Sequence, residues 1–126
     1  MRIGADYYPE HWEKERWKTD AEMMVKANIK VIRIGEFAWS LYEPEEGKYE
    51  FDWMDEALDF FGKYGIKVVM CTPSATPPKW MIDKYPDILQ NDIHGNPKLF
   101  GTRKHYCFNS QTYREKTKKL NTLIAK

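Results

Sequence analysis

The strongest constraint on this chain is an alternation. Short β-branched apolar runs are separated by segments whose apolar residues recur at helical spacing. Residues 2–8 (Arg-Ile-Gly-Ala-Asp-Tyr-Tyr) predict a short buried strand, which Pro9-Glu10-His11 ends. A helix is expected over about 11–28, with Trp17, Ala21, Met24 and Val25 on its apolar face and Asn28 as a left-handed stop. Residues 30–36 read as a second strand whose nearly continuous apolar run suits a parallel strand covered on both faces. Asp52 is expected to cap a second helix over about 53–64, with Asp55 and Glu56 in its first turn. Met54, Ala57, Leu58 and Phe61 form its apolar face, and Gly65 punctuates its end. Lys67-Val68-Val69-Met70-Cys71-Thr72 is a third strand.

The links that follow the helices are tight, and the link after the second strand is long. The link after the third strand is longer still, from Pro73 to about Ser110. It carries Pro77-Pro78, a short helix around Lys79–Lys84 and a turn at His94-Gly95-Asn96-Pro97. A last helix starts near Gln111, capped by Ser110 or Asn109, with Tyr113, Thr117, Leu120 and Ile124 on one face. Repeated strand–helix units imply a parallel sheet, in either an open doubly wound fold or an eight-stranded barrel. The first strand lacks a glycine-rich phosphate loop, and the long loops follow strands. Both points favour the barrel. The expected class is therefore α/β: a partial (β/α)8 TIM barrel with parallel strands. A whole barrel takes roughly 250 residues, so residues 1–126 hold its first three strand–helix units and stop before strand four.

Composition narrows the partners. Five Trp and eight Tyr are more than core packing asks for, so some should line a cleft. The formal net charge is +1 with no basic stripe, which argues against nucleic acid. No apolar run is long enough to span a membrane, and the first residues read as a strand, not a leader. The expected location is cytoplasmic, with no membrane partner. Cys71 and Cys107 do not make a disulfide framework.

Several residues can carry chemistry. Arg33 shares strand parity with Val31 and Gly35, whereas Ile32, Ile34 and Glu36 share the other face. A buried arginine needs a carboxylate. Arg33 either orients a catalytic carboxylate from another strand or pairs with a neighbour such as Asp6. Glu36 and Asp6 sit at the carboxyl ends of their strands, where barrels place active groups. Trp39 and Trp80 lie in loops and suit stacking on a sugar ring, while Trp12, Trp17 and Trp53 are expected to pack from helices. Arg103 offers a planar fork of donors to adjacent sugar hydroxyls. His105 and Cys107 are two ligands where zinc takes four. His11 and His94 read as surface or turn residues, and Lys116, Lys118 and Lys119 as the wet side of the last helix. No pair of carboxylates fit for glycoside hydrolysis can be nominated.

Four segments carry a resemblance: Tyr7-Tyr8-Pro9-Glu10-His11-Trp12, Ile34-Gly35-Glu36-Phe37-Ala38-Trp39-Ser40, Glu43-Pro44-Glu45-Glu46-Gly47-Lys48-Tyr49 and Arg103-Lys104-His105-Tyr106-Cys107. Together they resemble glycoside hydrolase family 42 β-galactosidases. The resemblance implies a retaining enzyme that removes terminal non-reducing β-D-galactose from oligosaccharides. It implies a (β/α)8 catalytic domain followed by two more domains, and a homotrimer. It also implies an acid/base glutamate in an Asn-Glu pair after strand four and a nucleophile after strand seven. This sequence has no Asn-Glu pair, so both catalytic glutamates are expected beyond Lys126 and the chain alone is expected to be inactive. By the same resemblance Arg103 binds galactose, Arg33 supports the nucleophile, with Glu36 beside it, and Cys107 is the first of four zinc-binding cysteines. Zinc would then belong to the full-length protein only, and no cofactor is required. Two alternatives remain open: a non-catalytic carbohydrate-binding or assembly fragment, and a segment of another barrel glycosidase such as a β-glucosidase.

Overall fold

The computed structural model describes residues 3–102 and 104–126. They form two compact units, Met1–Glu36 with Glu50–Cys71, and Phe37–Tyr49 with Thr72–Lys126.

The first unit is a parallel sheet of three strands in the order β1 (Ile3–Asp6), β2 (Ile29–Ile34), β3 (Lys67–Met70). Helix α1 (Lys14–Lys26) links β1 to β2 and packs on β2. The first and second strands are shorter at their carboxyl ends than the sequence suggests, because the chain turns at Gly35 and at the Pro9–His11 turn. Asn28 takes the left-handed conformation expected of it, with φ 58°. Ile32 and Ile34 are wholly buried, whereas Val31 and Arg33 are half-exposed. Coverage on both faces of β2 is therefore corrected to one buried face among the described residues.

The buried face of α1 is Trp17, Asp20, Ala21 and Met24, while Val25 is exposed. Asp20 takes the place expected for Val25 because it is fully partnered. Its two oxygens accept from the Tyr7 hydroxyl at 2.9 Å and from Arg16 Nε at 2.7 Å. Burial, together with that carboxylate, pushes the Tyr7 phenol well above its ordinary range. Trp12 is corrected as well. It follows the Pro9–His11 turn outside any helix, is half-exposed, and lies under the Arg16 guanidinium. The helix of residues 52–63 begins at Asp52 itself. Phe51 is its N-cap residue and no side chain caps it. Met54, Ala57 and Phe61 bury its inner face, and Phe61 meets Tyr7 edge-on with ring centres 5.3 Å apart.

The second unit contains α2 (Trp39–Tyr42). The helix just described is thus α3 (Asp52–Lys63), and the second unit continues with α4 (Lys79–Lys84) and α5 (Gln111–Ile124). The bounds of α4 match the expectation, and Ser110 caps α5 by accepting from the Tyr113 amide at 3.2 Å. The stretch read as one long loop instead pairs with itself, through antiparallel bridges Leu89 to Tyr106 and Asn91 to Pro97. An aromatic stack of Tyr106 on Tyr113 (4.7 Å) anchors its core, with Trp39, Tyr42, Met81, Ile88 and Leu120 wholly or nearly wholly buried.

Candidate functional site

Register builds the first cluster. In the β1–β2 pairing Asp6 lies opposite Arg33, so both side chains leave the same face of the sheet. Arg33 Nη1 donates to Asp6 Oδ1 at 3.3 Å and Nη2 to Glu36 Oε2 at 2.8 Å. Strict alternation had put Glu36 on the opposite face. Gly35, at φ 81°, breaks the alternation and returns Glu36 to the Arg33 side. The Tyr8 hydroxyl also points at Glu36 Oε2, at 3.5 Å. Its hydrogen bonds to Glu36 first and to Asp6 next hold the guanidinium pKa above its ordinary value. The Tyr8 phenol is raised by burial first and by the two carboxylates next. A cleft of about 300 Å³ lined by Gly4, Ala5, Asp6, Val31 and Arg33 opens over this face. With 40% of its side chain exposed, Arg33 is not the buried arginine expected. Its observed partners are neighbours, and two of its nitrogens are already committed to them.

A second cluster centres on Glu43, which is 1% exposed. Its carboxylate accepts from Trp39 Nε1 at 3.0 Å and from the Gly47 amide at 2.9 Å, and its backbone carbonyl accepts from Trp80 Nε1 at 2.9 Å. Burial and this carboxylate push the Tyr49 phenol up to about 12. Trp39 has no exposed surface at all. Its expected role as a sugar platform is corrected to a core role, since no ligand reaches a ring that the protein already covers. Trp80 stays half-exposed and keeps a face to offer. Three residues further on, Glu46 accepts from Tyr85 at 2.8 Å and pairs with Lys84 and Lys116. Those bonds, Lys116 foremost, pull its carboxyl down to about 2. Lys116 therefore leaves the wet face assigned to it.

Arg103 lies outside the described residues. Gly101 and Lys104 both have left-handed backbones, φ 87° and 55°, and for Lys104 that conformation is strained by about 1–2 kcal/mol. His105 is 4% exposed. Its Nδ1 is 2.8 Å from the Thr102 carbonyl, and its buried Nε2 has no hydrogen-bond partner among the described residues. Cys107 is a half-buried free thiol. His11 and His94 are exposed, as expected.

A parallel strand–helix sheet with charged groups at its strand ends fits many enzymes, and the likeness to known proteins decides among them. The glycoside hydrolase family 42 model, described as beta-galactosidase, matches residues 6–126. The chain belongs to glycoside hydrolase family 42. It is 54% identical over 123 residues to a beta-galactosidase of Thermus thermophilus, and 48% identical over 124 residues to one of Haloferax lucentense. Each match covers 98% of this chain and 19% of the relative. Among solved structures, the polyextremophilic beta-galactosidase of Halorubrum lacusprofundi matches with a TM-score of 0.94 at 45% identity, covering 98% of this chain and 19% of that one. The cold-adapted enzyme of Rahnella sp. R3 matches at 0.95 and 42%, covering 99% and 19%. The chain thus spans about a fifth of the length of the family 42 relatives it matches, and its strands and helices are those of a partial TIM barrel.

The family resemblance implies zinc in the full-length protein, with Cys107 the first of four ligands. Among the described residues no three His, Cys, Asp or Glu side chains converge on a point. Among the described residues no helix is long and apolar enough to cross a membrane. Sequence reasoning missed Glu43 and Glu46 as organising carboxylates, although both lie in the Glu43–Tyr49 segment that carries the family resemblance. A non-periodic run gives no signal of which acid turns inward.

Proposed function

We propose that this chain is the N-terminal portion of the catalytic barrel of a retaining β-galactosidase acting on terminal non-reducing β-D-galactose of oligosaccharides. The observation that carries this reading is the 54% identity to a beta-galactosidase across nearly the whole chain, motif loops included. In the complete enzyme a carboxylate attacks the anomeric carbon as the glycosidic C–O bond breaks, and an acid glutamate gives its proton to the departing oxygen. Water, losing its proton to that same glutamate, then releases galactose and frees the nucleophile. Neither glutamate belongs to this segment. Its own contribution is positioning: Arg103 and Trp80 toward the sugar, and Arg33, steadied by Asp6 and Glu36, toward the nucleophile. We place the complete protein in the cytoplasm as a homotrimer, with any zinc at Cys107 completed by ligands from elsewhere in that protein.

The test is a graft. Residues 1–126 replace the matching fifth of the Thermus thermophilus enzyme, and hydrolysis of a chromogenic β-galactoside is followed. Activity near that of the parent is expected, and Arg103→Ala in the graft is expected to lower kcat/KM by about 100-fold, the loss of a charge-assisted pair. A graft that folds without hydrolysing, or an Arg103→Ala variant of full activity, would refute the assignment.

A further inference from the structure

We propose that Glu36 is a substrate-binding residue whose Oε1 accepts a hydroxyl of the galactosyl group. One oxygen of this carboxylate is committed and the other is not. Oε2 takes Arg33 Nη2 at 2.8 Å and the Tyr8 hydroxyl at 3.5 Å. Oε1 has no hydrogen-bond partner among the described residues, and 26% of the side chain is exposed. A charge-assisted pair on one oxygen fixes where the other points, so the acceptor is set before a ligand arrives. An ionised carboxylate only accepts, and a sugar hydroxyl always has a proton to give. The other carboxylates differ. Asp6 is 57% exposed and reaches Arg33 through one longer contact, so it is loosely held. Glu43 has both oxygens satisfied inside the protein. The backbone delivers Glu36 to the right face. Arg33 lies between Asp6 on one neighbouring strand and Val69 on the other, and Val69 is exposed, so nothing described covers this end of the sheet face. Gly35 then turns Glu36 onto the same side, at the carboxyl ends of the strands, where a barrel receives its substrate.

The proposal rests on the galactosidase reading for the identity of the sugar. On that reading Arg33 faces the nucleophile, which attacks the anomeric carbon. Glu36 is held on the same guanidinium, so the hydroxyl within its reach belongs to the galactosyl group being transferred, not to a sugar further along the leaving group. The test compares a chromogenic β-galactoside with its analogues lacking one galactose hydroxyl each, as substrates of the active graft and of its Glu36→Ala variant. Glu36→Ala is expected to lower kcat/KM about 30-fold for every substrate that carries the contacted hydroxyl, the loss of one hydrogen bond to a charged acceptor. For the one analogue without that hydroxyl the loss is expected to stay below about threefold. Glu36→Gln keeps the shape and an acceptor oxygen, and covers the case in which the alanine variant does not fold. The same analogue should be spared, with about fivefold loss on the others. An equal loss on all substrates would mean that Glu36 acts only through Arg33, and would overturn the proposal, as would no loss on any. Either of those results in an active graft sinks this assignment alone. An inactive wild-type graft sinks the galactosidase reading and this assignment with it.

Discussion

The two units hold themselves together by different means. The first is held by period: Trp17, Ala21, Met24, Ile32, Ile34, Ala57 and Phe61 fall where a helix or strand turns inward, and their burial removes apolar area from water. Its charged groups stay at the strand ends, in the Asp6–Arg33–Glu36 cluster. The second unit has little regular structure outside α5. It is held by aromatic rings and by two carboxylates: Glu43, inside, takes donors four positions away on either side, and Glu46 collects donors from the distant Lys84, Tyr85 and Lys116. A sheet satisfies its backbone by itself, whereas an irregular stretch must find side-chain partners for its polar groups. The segments that carry the family resemblance fall more heavily in the irregular unit, where a loop can vary without disturbing a sheet.

The sharpest separation comes from the apolar core. Phe61→Ala is expected to cost about 3–5 kcal/mol, as for a large aromatic removed from a packed site, read by urea denaturation and by loss of hydrogen-exchange protection in β2 and α3. A loss below about 1 kcal/mol would mean that periodic burial is not what holds the first unit. Trp39→Phe tests the second unit. It keeps most of the ring but leaves Glu43 Oε2 without its indole donor, at a cost on the order of 2 kcal/mol. An unchanged midpoint would show that the aromatic core, not the carboxylate, organises that unit. The smallest effect should come from pH. Glu46 has a folded pKa of about 2 against an ordinary 4.5, so its stabilising contribution is complete above 4.5 and is lost as pH falls through 2. Melting curves between pH 5 and 2 should show a decline that Glu46→Gln flattens and added salt weakens, since the Lys84 side chain faces solvent and Glu46 is only part-buried. Equal slopes for the two proteins would remove Glu46 from the account.

Much of the first unit was legible in the sequence because helical and strand periods report directly on which side faces the core. Two of its misreadings have local causes. Asp20 replaces Val25 because a polar residue can be buried when Tyr7 and Arg16 complete its hydrogen bonds. Glu36 changed sides because one left-handed glycine resets the alternation. In the second unit the sequence marked α4 and the Ser110 cap, both of which depend on neighbours in the chain. Trp39 was misplaced because an aromatic in a loop reads the same whether its ring packs inward or outward. The candidate site divides in the same way: Trp80 is half-exposed, Trp39 is covered, and the contact of His105 with Thr102 has no mark in the sequence.

The sequence by itself determined the parallel strand–helix order and the family, because both are written in local spacing and in short motifs. Tertiary structure decided which of the chemically able side chains are spent on holding the protein together. Arg33 divides between Asp6 and Glu36, Glu43 takes the Trp39 and Gly47 donors, and His105 takes the Thr102 carbonyl. Those partners lie 3 to 27 positions apart. Spacing alone does not say which of them meet, and only the folded backbone sets the few ångströms over which a hydrogen bond acts.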